Sequence, residues 1–488
     1  MTDFKKRFAG KSTWKIRAFE QTTERQHLTR SQPQRLAWLE GIRILAAVLL
    51  LGYHAQLLFT KYSYTPQPTG LIDNLQRMTI AGDQLGQGIA QIVSLPVWFG
   101  FQFVDVFVLI SGFSLVLSLK GKPLEVKSFL KKRFLRILLP FWTVAWLAYP
   151  ILWTIAKLTN SYAPDAWHTF AGMTFPLLFD YGGDLLLPTN GPWWFVPLIL
   201  SFAFIFPFLW HLSQRWGTRN LVIVSVVITS IYRAFAVYVF GGHPTYVVID
   251  TPAGWQPFLP FIAKLSTFVL GMAIAKAYLQ GKGIIFWHSA KALIVGIPIY
   301  GVGFVAQFYK FGWIFDDFLL AIGLTLCCMG IFRPISQWLR IESLLVWLGL
   351  HSYSYFLIHN FVVDRTLNLV VRNQLDIYYQ SLPVMAIATL LLAILVDCTM
   401  PWLQSSAIAL WNRCDALLAR PPQLQQAHDI RLGDTVSYLG SHGWKVVKIE
   451  PVVHDEAFYL CRIFDGNKAL WVNEHDLTRQ NCVHQARS

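Results

Sequence analysis

The sequence predicts an all-α polytopic membrane bundle of about ten transmembrane helices, followed by a small C-terminal SH3-like β-barrel module. Three observations carry this expectation. Of the 488 residues, 54% are hydrophobic and only 14% are charged, against about 25% charged in ordinary soluble domains, and the mean hydropathy is +0.43. Apolar runs of about 20 residues, long enough to cross a hydrocarbon core of ~30 Å, recur along most of the chain. Near residue 428 those runs give way to short β-rich stretches punctuated by turn residues.

The first 35 residues form a basic segment (Lys5, Lys6, Arg7, Lys11, Lys15, Arg17, Arg25, Arg30, Arg35) without an apolar core, so it does not read as a cleaved secretory signal. A transmembrane domain over 36–411 follows, with spans expected near 37–59, 97–119, 135–156, 194–212, 220–240, 258–279, 290–308, 314–332, 343–363 and 383–411. Lys and Arg recur at every second connection: Lys120 to Arg136, then Arg215 and Arg219, then Lys276, Lys282 and Lys291, then Arg333 and Arg340. By the positive-inside rule both termini are cytoplasmic, and the protein is expected to be integral to the plasma (inner) membrane in contact with its lipids. The formal charge of +14 follows from this topology. A nucleic-acid partner is not expected, because the basic residues are spread over inner loops instead of one soluble face.

A linker at 412–427 contains Arg420-Pro421-Pro422 and a glutamine-rich run, the β module covers 428–480, and a tail covers 481–488. Runs at 435–439, 445–450, 458–464 and 470–472 read as strands, separated by Gly433-Asp434, His442-Gly443 and Asp465-Gly466. Trp444 and Trp471 are read first as core-filling residues, given the area an aromatic buries, and second as contacts for a protein partner. The six cysteines show no paired metal spacing, so free thiols, no metal site and no resident cofactor are expected.

The first span carries Glu40, Arg43 and His54 among its leucines and alanines. Ionisable groups inside a span are costly and mark reactive sites or pathways by default. Arg43 and His54 are eleven residues apart, about three helical turns plus ~20°, so they line one stripe with a rise of roughly 16 Å between them. His359 lies about 16 residues into a span that also starts inside, and Asp105 about eight residues into one that starts outside, counting along the sequence. At ~1.5 Å per residue both come near the depth of His54, and two histidines and a carboxylate are expected to converge there. Helix-to-helix hydrogen bonding is the alternative for His359 and Asp105, and an ion pair to Glu40 is the alternative for Arg43. A transporter or flippase using these groups for solute or proton binding is the rival reading of the whole chain.

Four patterns in order along the chain are LEGIRILAAVLLLGYH (with Arg43 and His54), FVDVFVLISGF followed by FLKKRFLRILLPFW (with Arg133, Arg136 and Pro140), PWWFVPLILSFAFIFP, and LGLHSYSYFLIH ending at His359. Together they resemble the acyltransferase-3 family of integral membrane acyltransferases over roughly residues 36 to 411. Glu40 stands where the family usually has aspartate, Ile44 where glycine is common and Phe356 where tyrosine is frequent. Leu198, Ile199 and Leu200 stand where members acylating cell-wall or O-antigen sugars often carry a glutamate.

The resemblance implies an acyl-CoA cosubstrate and an acceptor hydroxyl on a glycan or lipid-linked molecule, with acetyl or another short acyl group transferred. His54 then suits a general base, and Arg43 suits donor anchoring or stabilisation of charge on the thioester oxygen. His359, Asp105 and Glu40 fall to orienting roles. Arg133 and Arg136, three apart on one helical face, suit phosphate oxygens of the donor. The connection at 157–193, with Trp194 just after it, supplies Asp180, Asp184, Asn190, Trp193 and Trp194, types that bond to and stack on sugars. Trp194 is assigned to the acceptor side, and Trp193 is expected to be an interfacial anchor.

Overall fold

A computed structural model of the chain describes residues 36–119, 121–160, 191–242, 244, 260–418, 430, 432–453, 457–473 and 476–479. It divides into two compact units, Met1–Leu403 and Gln404–Ser488.

The first unit is helical. Helix α1, Ala37–Phe59, matches the expected first span and ends where Thr60 turns its hydroxyl back to the Gln56 carbonyl at 2.8 Å. The next connection holds a helix that its polar composition concealed, α2 (Leu71–Asp83), which starts after Gly70 at φ 103°. Helices α3 (Ile89–Val97) and α4 (Phe103–Ser118) then cross together as one apolar stretch, interrupted by a short turn at Gly100–Gln102. A Cβ at Gly100 would sit 2.5 Å from the Leu49 carbonyl oxygen, so this glycine is what lets the turn touch α1.

Helix α5, Val126–Thr159, begins well before the apolar run and carries Lys127 to Arg136 on its first turns. Its 34 residues rise about 50 Å, more than the hydrocarbon thickness, so the basic start reaches beyond the core. Helices α6 (Phe195–Arg215) and α7 (Thr218–Tyr238) are joined through Gly217 at φ 82°.

The sixth expected span is broken: a turn at Pro260–Ala263 is separated by Lys264 from α8, Leu265–Leu279. Helices α9 (Ser289–Ala306) and α10 (Asp316–Ile335) form a close hairpin, because Gly296, Gly303, Gly323 and Gly330 each leave no room for a side chain. The ninth span is bent by 63° at His351, between α11 (Leu339–Leu350) and α12 (Ser352–Thr366). Helix α13, Leu375–Leu418, completes the set.

All ten expected positions thus carry apolar helix. Among the described residues eight are long and apolar enough to cross a bilayer, the bent pair makes a ninth, and α8 is a shorter apolar helix. The chain is an integral membrane protein. Helices α4 and α8 approach until a Cβ at Gly112 would lie 2.1 Å from the Phe268 carbonyl oxygen, and one at Gly271 would lie 2.0 Å from that of Leu109. Small residues at such a crossing replace the hydrophobic drive that lipid cannot supply.

The second unit contains a five-stranded antiparallel sheet: β1 Thr435–Tyr438, β2 Ser441–Val453, β3 Ala457–Phe464, β4 Ala469–Asn473 and β5 Leu477–Arg479, in the order β4-β3-β2-β1-β5. Four strands fall on the expected runs; the three-residue β5 carried no separate signal. Val436, Trp444, Val446, Cys461, Ile463 and Val472 form its core. Trp444 is therefore core-filling, whereas Trp471 is 44% exposed with the Lys448 ammonium 5.9 Å above its ring. Cys327, Cys328 and Cys398 are free thiols and Cys461 is buried in the core of the sheet; the Cys414 side chain and Cys482 lie outside the described residues.

Candidate active site

Helix α1 carries Glu40, Arg43 and His54. Arg43 Nη1 lies 3.1 Å from both carboxylate oxygens of Glu40, and Nη2 donates to Ser114 Oγ on α4 at 2.7 Å. Glu40 is buried against Gly349, where a Cβ would come within 2.5 Å of the carboxylate. The glycine of LGLH thus opens the space that Glu40 fills. The Arg43 side chain keeps 20% of its surface accessible.

Three turns further on, His54 meets His359 of α12. His359 Nδ1 is 2.5 Å from the Phe356 carbonyl oxygen, and His359 Nε2 is 3.1 Å from His54 Nδ1. His54 Nδ1 also lies 2.8 Å from the Leu50 carbonyl oxygen. A carbonyl accepts only, so the Phe356 contact assigns the hydrogen of neutral His359 to Nδ1 and leaves its Nε2 a lone pair. The Leu50 carbonyl and that lone pair both require a hydrogen on His54 Nδ1. His54 Nδ1–H is shared between them, and His54 Nε2 carries the unshared pair. The histidines thus converge as the sequence suggests, with His359 wholly buried and His54 half-buried.

Asp105 does not join them. Its Oδ1 forms an ion pair with Lys264 Nζ at 2.8 Å, and Lys264 also contacts Asp317. Asp317 is paired in turn with Arg233, which meets Asp316 at 2.6 Å and donates through Nε to the Trp313 carbonyl at 2.7 Å. Three carboxylates and two cations from α4, α7, α10 and the break before α8 thereby form one ion-paired network within the bundle. The physical reason is the close crossing of α4 and α8: it puts the Lys264 break beside the first turn of α4, and an ammonium outcompetes a neutral imidazole for a buried carboxylate.

Arg133 is half-buried and Arg136 exposed on α5, and Arg133 lies within electrostatic range of both Arg136 and Arg43. Arg133, at the start of α5, therefore lies near Arg43 at one end of the α1 stripe. Tyr353 of α12 donates to the Ile137 carbonyl at 3.0 Å and ties this region to the helix bearing His359.

Trp193 is no interfacial anchor. It is wholly buried, its indole N–H donates to the Leu357 carbonyl at 3.1 Å, and its ring packs edge-on to Phe141 and Phe361. A partner for the N–H within reach makes full burial of the large ring favourable. Trp194, half-buried, borders a cavity of about 390 Å³ whose lining includes Tyr53, Phe101, Asp105, Lys264 and Asp316. His54 and His359 are not in that lining; the Tyr53 ring stands edge-on to His54 with centroids 5.2 Å apart. Asp180, Asp184 and Asn190 lie outside the described residues.

Arg233, Asp316 and Asp317 escaped the sequence reading, and Lys264 and Asp397 had no role in it. A usable signal existed, since each is a charge within or at the edge of an apolar run. Asp397 of α13 contacts His351 Nδ1 at 2.6 Å and accepts from Ser354 Oγ at 2.5 Å, so it secures the bend between α11 and α12.

No curated protein and no solved structure matches the chain. The acyltransferase-3 family model, described as an acyltransferase domain, matches residues 36–399, which takes in every helix from α1 to α12 and most of the apolar part of α13. The chain with the hydrogen-bonded histidine pair and the basic start of α5 belongs to the acyltransferase-3 family and is an integral membrane acyltransferase.

Proposed function

We propose that the protein moves an acetyl or other short acyl group from cytoplasmic acyl-CoA to a hydroxyl of a glycan or lipid-linked acceptor that arrives from the other face of the plasma (inner) membrane. The observation that carries this reading is the hydrogen-bonded pair His54–His359, which leaves a lone pair on His54 Nε2. In the proposed step the acceptor oxygen attacks the thioester carbonyl carbon while His54 Nε2 takes the hydroxyl proton. The C–S bond then breaks, and the same nitrogen returns the proton to the departing thiolate, so the imidazole ends neutral. His359 acts through His54 and is a positioning residue.

Arg133 and Arg136 supply paired guanidinium forks for the donor's phosphates. Arg43, between them and His54, guides the donor arm, with Glu40 and Ser114 fixing its orientation. Asp105 has no part in the proton transfer. Lys and Arg at alternate connections support cytoplasmic termini. The return of β5 beside β1 supports an SH3-like module at the C-terminus, with exposed Trp471 the candidate contact for a protein partner.

The test supplies purified protein with labelled acetyl-CoA and membrane extracts as acceptor. Labelled ester should form with the parent and fall by about 10²- to 10⁴-fold in His54→Ala, the usual contribution of a general base. Full activity in His54→Ala would remove the base, and unaltered donor affinity in the Arg133→Ala plus Arg136→Ala double variant would remove the phosphate site.

A further inference from the structure

One face of the C-terminal sheet is basic and aromatic. Strand pairing sets Lys445 of β2 opposite Phe464 of β3, and puts Lys448 of β2 in one row with Arg462 of β3 and Trp471 of β4. Side chains alternate along a strand, so two lysines three positions apart would ordinarily point to opposite faces. The register shift between Val446 and Lys448 inserts one extra residue, Val447, and brings both lysines to the same side. The core of the sheet lies on the other side, and these five side chains are exposed. Among the described residues paired in the sheet, Glu450 is the one carboxylate on that face, and it is already paired with Lys448. With that pair counted, the face keeps a net positive charge.

We infer that this face docks on anionic lipid headgroups of the membrane that the same chain spans, with Lys445, Lys448 and Arg462 against the acidic surface and Trp471 and Phe464 entering the interfacial layer. This goes beyond the proposed function, and it commits Trp471 to lipid over the protein contact named there. Charge selects an acidic occupant. An anionic leaflet attracts basic clusters that come within about a Debye length of it, ~8–10 Å, and aromatic rings settle at headgroup level.

Proximity then selects lipid among acidic occupants. Residues 419–429 are all that lies in sequence between the end of α13 and Ile430, the first described residue before the sheet. They reach at most roughly 40 Å, so the sheet meets headgroups at a concentration that no free protein matches. The Lys- and Arg-rich connections of the chain itself carry the same sign as the face and offer it no complement.

The test uses the full chain in nanodiscs of phosphatidylcholine alone or with about a third phosphatidylglycerol. The reporter is Ala469→Cys, an exposed position beside Phe464 on the same face. It is labelled with a membrane-impermeant maleimide, and its peptide is followed by mass to separate it from the native cysteines. Labelling should be about threefold or more slower in the anionic discs than in the neutral ones, and the difference should vanish near ~1 M salt, where charges are screened within ~3 Å. It should also vanish when Lys445→Gln, Lys448→Gln and Arg462→Gln are combined, and Trp471→Ala should at least halve it. Protease resistance of residues 430–479 checks that each variant keeps its sheet, and the salt arm needs no variant beyond the reporter. Both faces of a nanodisc carry the same lipid, so the outcome is independent of the proposed orientation and of acyl transfer. Equal rates in the two discs, or a difference that survives salt or the triple variant, would overturn the inference. Equal rates together with protection by synthetic polyglutamate in detergent would assign the face to an acidic protein and overturn lipid docking.

Discussion

Replacing His359 separates a positioning histidine from a catalytic one. His54 Nδ1–H is held by two acceptors, the Leu50 carbonyl at 2.8 Å and His359 Nε2 at 3.1 Å. In His359→Phe the carbonyl remains and still selects the same tautomer, so the loss is one neutral hydrogen bond, about 0.5–1.5 kcal/mol. If that energy is spent wholly on holding the ring in its productive orientation, kcat falls between about 2- and 13-fold. Loss of the base itself in His54→Ala costs about 10²- to 10⁴-fold. His359→Gln, whose amide oxygen accepts from the same N–H, should recover most of the His359→Phe deficit. The assay is transfer of labelled acetyl from acetyl-CoA by purified protein, with full pH–rate profiles. The acid limb, where the base becomes protonated, should persist in His359→Phe. A loss in His359→Phe as deep as that in His54→Ala, with the acid limb gone, would make His359 the proton acceptor and refute the tautomer assignment.

Three further outcomes are expected. Gly271→Ala or Gly112→Ala drives a methyl into backbone at 2.0–2.1 Å; the resulting overpacking should cost about 3 kcal/mol, read as a lower midpoint of thermal unfolding in detergent. Arg233→Met leaves Asp316 and Asp317 undercompensated and should destabilise the bundle by about 3–5 kcal/mol. Adding Asp316→Asn should restore part of that loss, and a double variant no better than the single would refute the network. In the full chain, Trp444→Ala should cost the C-terminal sheet about 3–5 kcal/mol and expose residues 430–479 to protease, while Trp471→Ala should leave protease resistance within about 0.5 kcal/mol of the parent.

The helices were legible because lipid imposes one strong rule: a span must be apolar over about 20 residues. Helix α1 could be bounded to the residue, and even the broken crossings at Lys264 and His351 lay within apolar runs. Helix α2 was hidden, since its LIDNLQRMTIAGD sequence is too polar for that rule. The histidine pair could be read from depth along two spans that start on the same side. Asp105 shared that depth, but depth does not fix azimuth, and its direction follows from the glycine crossing of α4 with α8. Trp193 misled for a related reason: its position at a span boundary was visible, and the Leu357 carbonyl that buries it lies 164 residues away. Arg233, Asp316 and Asp317 gave a signal as charges in apolar surroundings, yet their pairing is a property of three-dimensional neighbours alone.

Helix α1 is continuous from Ala37 to Phe59, so it acts as a molecular ruler. Arg43, which guides the donor arm, and the proposed base are held roughly 16 Å apart by eleven rigid residues, with the proposed phosphate pair of α5 beyond Arg43, and only a donor whose reactive carbonyl stands at least that far from its anionic head can engage both ends. Acyl phosphates, with the two groups directly bonded, are too short to be read by such a device, whatever their intrinsic reactivity.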